Sequence, residues 1–306
     1  MGEAAGRLLA CDWGTTNLRA WVLDAAGQVV RAQDFPLGVS RLAPGEVEAR
    51  FHDTVRPAMA ARALPALLCG MIGSTLGWVV APYLECPAGL EELRRAMVEV
   101  GGSGPRVRIV PGLQGPGLEG APEVMRGEET QVFGWLSLAP ERLRGRHLIC
   151  HPGTHAKWVV IEDGRIVRFL TAMTGELFDV LRKHSVLRSD APARSQAAFD
   201  LGLQAAGDGG ALSARLFSVR TRVVASDMAP EAAPSYLSGL LIGSEVASLP
   251  PLLGLEPGSP VSLVGDPGLT LWYERALASA GYRVQVHDGD EAVLAGLRAL
   301  HEETAR

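Results

Sequence analysis

Two nitrogen-bearing residue types are almost missing from this chain of 306 residues: Lys157 and Lys183 are its only lysines, and Asn17 is its only asparagine. Positive charge is therefore carried by arginine, no Lys/Arg run occurs, and the net charge is −5. That balance argues against a nucleic-acid surface. Cysteine is scarce too. Cys11, Cys69, Cys86 and Cys150 form no close pair, and three of them end apolar, strand-like runs. Reduced, buried thiols are expected, with neither a disulfide framework nor a zinc site. No uninterrupted apolar run reaches membrane-spanning length. The N-terminus, MGEAAGR, is acidic and has no apolar core, so no signal peptide is expected. These absences point to a cytoplasmic protein with no membrane and no nucleic-acid partner. What remains is 47% hydrophobic and 21% charged, enough apolar material for two globular domains or one large one.

The chain is organised around Leu8 to Val30. Leu8-Leu9-Ala10-Cys11 reads as a buried strand that ends at Asp12. Gly14, Thr15, Thr16 and Asn17 then make a tight polar turn, and Leu18 to Leu23 runs back as a second strand. Such a turn offers backbone N–H groups and two hydroxyls to an anion, with a glycine for close approach. Asp12 stands where a carboxylate holds hydrated Mg, a hard cation that prefers oxygen ligands. A plain β-hairpin with a surface aspartate is the alternative on this stretch alone.

A second copy shifts the balance. His147 to Val167 repeats the layout, with Cys150, Gly153 and Thr154 matching Cys11, Gly14 and Thr15 at one offset. After a two-residue deletion Trp158 matches Trp21, and Gly164 matches Gly27. Two strand–Gly-Thr–strand units, one per half, imply two similar domains whose turns clasp the phosphate chain of a nucleotide across a cleft. His151 stands where Asp12 stands in the first copy, so only one half carries the carboxylate. His155 and Lys157 follow the second turn, either approaching phosphates or facing solvent from a strand.

The paired turns resemble those of the sugar-kinase, heat-shock-chaperone and actin ATPase superfamily. More closely, CDWGTTNLRAWV, GMIGSTLGWVVAPY, VMRGEETQVFG, HPGTHAKWV, TAMTGELFDVLRKHSVL and LSGLLIGSEV resemble the 2-dehydro-3-deoxygalactonokinase family. The resemblance runs over nearly the whole chain. It implies an α/β fold: two ribonuclease-H-like domains of the actin/sugar-kinase ATPase type with an interdomain cleft, placed at 1–125 and 126–306. It also implies ATP and Mg, and phosphorylation of a 2-keto-3-deoxy sugar acid in galactonate catabolism. A homodimer is compatible with it. Gly265-Asp266, after a strand and before a helix, matches the superfamily's adenosine loop by position. Gly73, Ser74 and Trp78 follow a first-domain strand inside a matching motif and are the substrate-side candidates, with Arg126 as a nearby cation; Trp78 as core is the alternative.

Taken in order, Val29 to Phe35 reads as a strand, Pro44 to Ala61 as a helix, Pro65 to Cys69 as a strand, Gly89 to Val100 as a helix and Arg106 to Val110 as a strand. That is the order of one ribonuclease-H-like half. Gly115 to Gly120 matches G-x-G-x-x-G, but no strand–helix unit surrounds it. Pro111 to Pro122 is read as the link out of the first domain. Arg126 to Leu138 is a helix, and Thr174 N-caps another over Gly175 to Lys183. Ser189 to Gly210 gives no clear element. Helices are expected over Pro234 to Ser248, Leu269 to Ala280 and Asp290 to Leu300, with strands at Val261 to Val264 and Arg283 to Val286.

Glu128 and Glu129 open the helix at Arg126. Acids there complement the helix dipole, and a carboxylate there also suits the general base that takes the substrate hydroxyl proton. Helical spacing puts the two on different faces. Glu129 shares a face with Val132, Phe133 and Leu136, so Glu129 is expected to pack and Glu128 to face the chemistry. GEE also resembles the acidic motif of exopolyphosphatases. A polyphosphate hydrolase and a nucleotide-driven interaction protein are therefore the competing readings. The chain lacks room for a peptide-binding domain.

Overall fold

The structure, a computed structural model, describes residues 7–43, 45–101, 104–207 and 210–301. Pro44, the expected opening of the first helix, lies outside them. The chain divides into two compact units. One takes residues up to Arg146, Ile161–Arg168 and those from Gly289 on; the other takes His147–Val160 and Phe169–Asp288.

In the first unit three strands come first: β1 (Leu8–Trp13), β2 (Leu18–Leu23) and β3 (Val29–Phe35). Helix α1 (Glu46–Arg50) runs through a π-turn at Phe51–Val55 into α2 (Arg56–Ala58). Then come β4 (Ala66–Gly70), β5 (Tyr83–Glu85), α3 (Leu90–Arg95), β6 (Val98–Val100), β7 (Val107–Ile109), β8 (Gly112–Pro116), β9 (Pro122–Met125) and α4 (Glu128–Ser137). The main sheet has the order β3-β2-β1-β4-β7-β6. β1, β4 and β7 are parallel neighbours, which buries them on both faces. Leu9, Cys11, Trp13, Leu68 and Ile109 accordingly join one core with Phe51 and Val55 from the helical segment.

Two segments depart from expectation. Residues 98–100 are a strand, not the end of a helix. Helix α3 stops at Arg95, and Val98-Glu99-Val100, alternating and β-branched, pairs antiparallel with β7. Pro111 to Pro122 is not a bare linker. It forms β8 and the start of β9, in a small sheet ordered β5-β8-β9. Its prolines are tolerated because Pro116 and Pro122 form the last pair of the ladder.

The second unit holds a five-stranded sheet of order β12-β11-β10-β13-β14. Its strands are β10 (Arg146–His151), β11 (Ala156–Glu162), β12 (Arg165–Ala172), β13 (Pro260–Gly265) and β14 (Arg283–Asp288). Five helices accompany it: α5 (Thr174–His184), α6 (Gln196–Gly207), α7 (Leu212–Val224), α8 (Ala233–Leu252) and α9 (Pro267–Ser279). Helix α6 fills the stretch that gave no clear element. Its Gly202 faces α8, where Gly239 meets the Phe199 backbone so closely that either would collide if it carried a Cβ.

The last helix, α10 (Gly289–His301), belongs to the first unit. It lies against α4, with Gly134 against the Ala292 carbonyl and Gly296 against the Thr130 carbonyl. The expected boundary after residue 125 thus falls inside this unit, because the tight α4–α10 crossing keeps α4 with the first sheet.

Candidate functional site

In the first unit, the turn after β1 is closed by the Gly14 N–H donating to Asn17 O at 2.9 Å. The start of a short helical turn, Val39–Arg41, and its N-cap Gly38 then take its carbonyls: Gly38 N–H donates to Thr16 O, Val39 N–H to Gly14 O, and Ser40 N–H and hydroxyl to Thr15 O. Gly38 lies so close to the Thr16 backbone that a side chain there would overlap it. With the carbonyls tied down from behind, the amides of Thr15 and Thr16 donate to no group among the described residues. That is the donor-outward geometry an anion needs.

Asp12 is the penultimate residue of β1 and stands opposite Arg19 of β2 in the ladder. Arg19 Nη2 donates to Asp12 Oδ2 at 2.6 Å, and its other end pairs with Asp290 of α10. The second carboxylate oxygen has Cys69 Sγ at 3.9 Å. Asp12, Gly14, Thr16, Asn17, Arg19 and Asp34 line one polar cavity of about 560 Å³. Among the described residues no cluster of three or more His, Cys, Asp or Glu gathers. Mg keeps most of its water and takes one or two carboxylates plus substrate phosphate, and Asp12 and Asp34 are the carboxylates that line this cavity. Asp12 fits that role.

Helix α4 starts at the end of β4, the parallel neighbour of β1. Gly127 adopts φ 112° at its N-cap, with its Cα side against Gly70 at the end of β4. Glu129 is fully buried. Its Oε2 accepts from the Gly127 N–H at 2.6 Å and its Oε1 from the Thr130 hydroxyl at 3.1 Å. Burial, with the Glu128 charge adding to it, pushes its pKa up to about 8. Glu128 is half-buried, and its Oε2 is buried with no hydrogen-bond partner. Glu129 is thus spent on its own turn, while Glu128 keeps an unused acceptor.

The substrate-side candidates lie in the same unit. Gly73 is packed against Arg126, Ala81 and Ile109. The Ser74 hydroxyl donates to Met71 O, which fixes the short turn after β4. Trp78 packs on Phe51, ring centroids 5.5 Å apart, and edge-on to His52. Arg126 is 8% exposed; its Nη2 donates to Ala81 O and its guanidinium lies 4.3 Å over the Tyr83 ring. Its Nε and Nη1 are buried without partners.

In the second unit, Gly153 and Thr154 form the corresponding turn, held by the start of α5. Glu176 N–H donates to Thr154 O at 3.0 Å, and Gly175 sits against the Gly153 carbonyl with no space for a Cβ. His155 is exposed and pairs with Glu176. Lys157 does not face solvent: it is 6% exposed and donates to the Thr171 hydroxyl on the neighbouring strand at 2.8 Å. Asp266 N-caps α9, accepting from the N–H groups of Gly268 and Leu269. Gly265 beside it has only ordinary contacts, with Pro152 and Thr270. A cavity of about 240 Å³, mostly apolar, opens among Gly153, Gly175, Leu241, Gly268, Trp272 and Tyr273. Thr174 does not act as the N-cap of α5. Met173 takes that position, and Thr174 turns its hydroxyl to Glu245 instead.

A family model for 2-keto-3-deoxy-galactonokinase matches residues 12–300. The chain belongs to that family. It is 38% identical over 301 residues to a Rhizobium meliloti (strain 1021) protein assigned as 2-dehydro-3-deoxygalactonokinase, covering 96% of each. It is 36% identical to the 2-dehydro-3-deoxygalactonokinase of Escherichia coli (strain K12), covering 98% of this chain and 99% of that one. A crystal structure from Sinorhizobium meliloti assigned to the same activity superposes with a TM-score of 0.85 at 37% identity, covering 96% of this chain and 97% of its own. This family of carbohydrate kinases uses ATP as its phosphoryl donor, and no helix among the described residues is long and apolar enough to cross a membrane.

Two residues of this family member escaped the sequence reading. Arg19 could have been found by counting the ladder back from the four-residue turn, which sets it opposite Asp12. Glu245 carries a plainer signal, since it is the only charged residue in the long apolar helix α8.

Proposed function

We propose that this kinase transfers the γ-phosphoryl group of ATP to 2-dehydro-3-deoxy-D-galactonate, giving the 6-phosphate, as a cytoplasmic step of galactonate catabolism. The full-length match to the family supports the substrate. The site chemistry rests on one observation: in the unit that carries Asp12 and the unpaired amides of Thr15 and Thr16, Glu128 at the start of α4 holds a buried carboxylate oxygen with no partner. The shared sheet order of the two units supports reading each as a ribonuclease-H-like domain of the sugar-kinase type.

In this reading the Thr15 and Thr16 amides and the Asn17 turn hold phosphate oxygens. Asp12 would hold Mg, which on binding neutralises charge on the transferred group. Glu128 accepts the proton of the attacking hydroxyl, a role its unused oxygen suits and the hydrogen-bonded Glu129 does not. Gly73, Ser74, Trp78 and Arg126 form the sugar side. Gly153, Thr154, His155 and the apolar cavity of the second unit take the phosphate tail and nucleoside. Gly265 and Asp266 form the loop that shapes the cavity wall, Asp266 through its cap on α9. Lys157 acts from within the sheet, where it donates to Thr171.

Coupled ADP release across galactonate- and gluconate-derived 2-keto-3-deoxy acids tests this. Turnover on the galactonate-derived acid is expected. Phosphate release from polyphosphate, with no turnover on any sugar acid, overturns it.

A further inference from the structure

Three of the motifs that carry the family resemblance, HPGTHAKWV, TAMTGELFD and LSGLLIGSEV, converge on one buried carboxylate. Glu245 of α8 is 6% exposed. Its Oε1 accepts from Trp158 Nε1 on β11 at 2.6 Å, and its Oε2 from the Tyr273 hydroxyl on α9 at 2.9 Å. The Thr174 hydroxyl, at the start of α5, also faces this carboxylate and the Tyr273 hydroxyl. An acceptor-only group with several lone-pair sites is what such a set of donors requires, since an indole N–H can only donate. Burial of the charge is costly, and apolar residues of similar volume fill such sites with equal or greater stability. Packing alone therefore does not explain a carboxylate here.

Two of these donors share a second property. Thr174 and Tyr273 line the apolar cavity of this unit. Thr174 precedes Gly175, which rests on the Gly153 carbonyl, and Trp158 lies on the strand that leaves the Gly153–Thr154 turn. One carboxylate thus ties the segment after the phosphate turn, the helix that clamps the turn and one wall of the cavity. We propose that Glu245 is a positioning residue that fixes the nucleoside cavity and the second phosphate turn in one geometry, so that base and phosphates are held together. This rests on reading the cavity as the nucleotide site. Glu245 touches no reacting atom and sets nucleotide affinity, not sugar-acid affinity.

The test is ATP titration by calorimetry on the full chain, with the sugar-acid KM measured in parallel. Glu245→Gln places an amide N–H₂ against a donor, and is expected to weaken ATP binding about tenfold or more through that lost acceptor, with the sugar-acid KM nearly unchanged. Thr174→Val and Tyr273→Phe, each removing one donor, are expected to weaken ATP in the same direction by less, and keep the proposal open to refutation should Glu245→Gln fail to fold. A merely structural brace lowers the unfolding temperature but leaves ATP affinity, measured well below it, where it was. That result, or an equal loss of sugar-acid affinity, overturns the proposal. If the parent chain itself binds no ATP, the nucleotide reading falls and this inference with it. If the parent binds and all three variants bind equally well, only the inference falls.

Discussion

At the end of β1 the chain places Asp12 two residues before Gly14, whereas at the end of β10 the same position holds His151. Around these positions the two units are built alike: a central strand, a Gly-Thr turn, and the same five-strand sheet order. Each turn is also braced by a glycine with no space for a side chain, Gly38 in the first unit and Gly175 at the start of α5 in the second. What differs is the lining of the adjacent cavity. The first is polar, with Asp12, Arg19 and Asp34; the second is mostly apolar, with Trp272 and Leu241. One backbone device thus stands beside two differently lined cavities. A carboxylate beside an anion-binding turn suits a metal–phosphate group, and an apolar wall beside such a turn suits a flat base.

Substituting the two matched positions tests that asymmetry most severely. Asp12→Asn keeps the shape and the ladder but removes the charge, and should lower kcat on the order of 10³-fold with the fold intact by circular dichroism. His151→Asn should leave turnover close to that of the parent. Comparable losses in both would mean that the two turns share the metal–phosphate work.

The next effect belongs to α4, which has no counterpart in the second unit's site. Glu128→Gln should cost about 100-fold in turnover with ATP binding kept, because the unused oxygen becomes an amide that cannot take a proton. If Glu129→Gln shows that loss and Glu128→Gln does not, the buried acid is the base.

Smaller again are two glycine substitutions that strike the braces in parallel. Gly38→Ala pushes a methyl into the Thr16 backbone, and Gly175→Ala pushes one into the Gly153 carbonyl. Each should cost about 1–3 kcal/mol of stability as overpacking. The kinetic outcomes should separate: Gly38→Ala should mainly lower kcat, and Gly175→Ala mainly weaken ATP binding, by roughly tenfold each. Identical profiles would remove the division of labour between the turns.

The repeat was legible because it lies in local signals: an apolar run, a polar turn with glycine, and a return strand at one offset. The helices at 128, 174, 267 and 289 were legible from their periodicity. Three features were not. Val98-Glu99-Val100 is too short to outweigh a neighbouring helix until β7 is beside it to pair with. The α4–α10 crossing joins residues more than 150 apart through bare glycine contacts, which no local pattern records, so the boundary was drawn too early. Thr174 looked like a cap because hydroxyls at helix starts usually are, but a buried acceptor 71 residues later claimed it. Lys157, one of two lysines, drew attention by rarity; its burial against Thr171 depends on the neighbouring strand.

The smallest effect separates the two acids of α4 by pH. Glu129 has its pKa pushed from about 4.5 to about 8, chiefly by burial and next by the Glu128 charge. Between those values the folded chain holds a proton that the unfolded chain has released. The unfolded state then binds fewer protons, so stability falls as pH rises through this window and levels off above it. Glu129→Gln fixes a neutral group in the same space, and its amide oxygen can take over the bond from the Gly127 N–H that Oε2 accepts in the parent. Melting temperatures measured from pH 5 to pH 9 should therefore decline less steeply in Glu129→Gln than in the parent, with the difference accumulating between about 4.5 and 8. Glu128→Gln removes the second cause of the shift, so the parent's decline should persist there but end at a lower pH. Parallel melting curves for the parent and Glu129→Gln would show that Glu129 is ionised in the folded chain, and its hydrogen bonds to Gly127 and Thr130 would then be the one feature that sets it apart from Glu128 as a base.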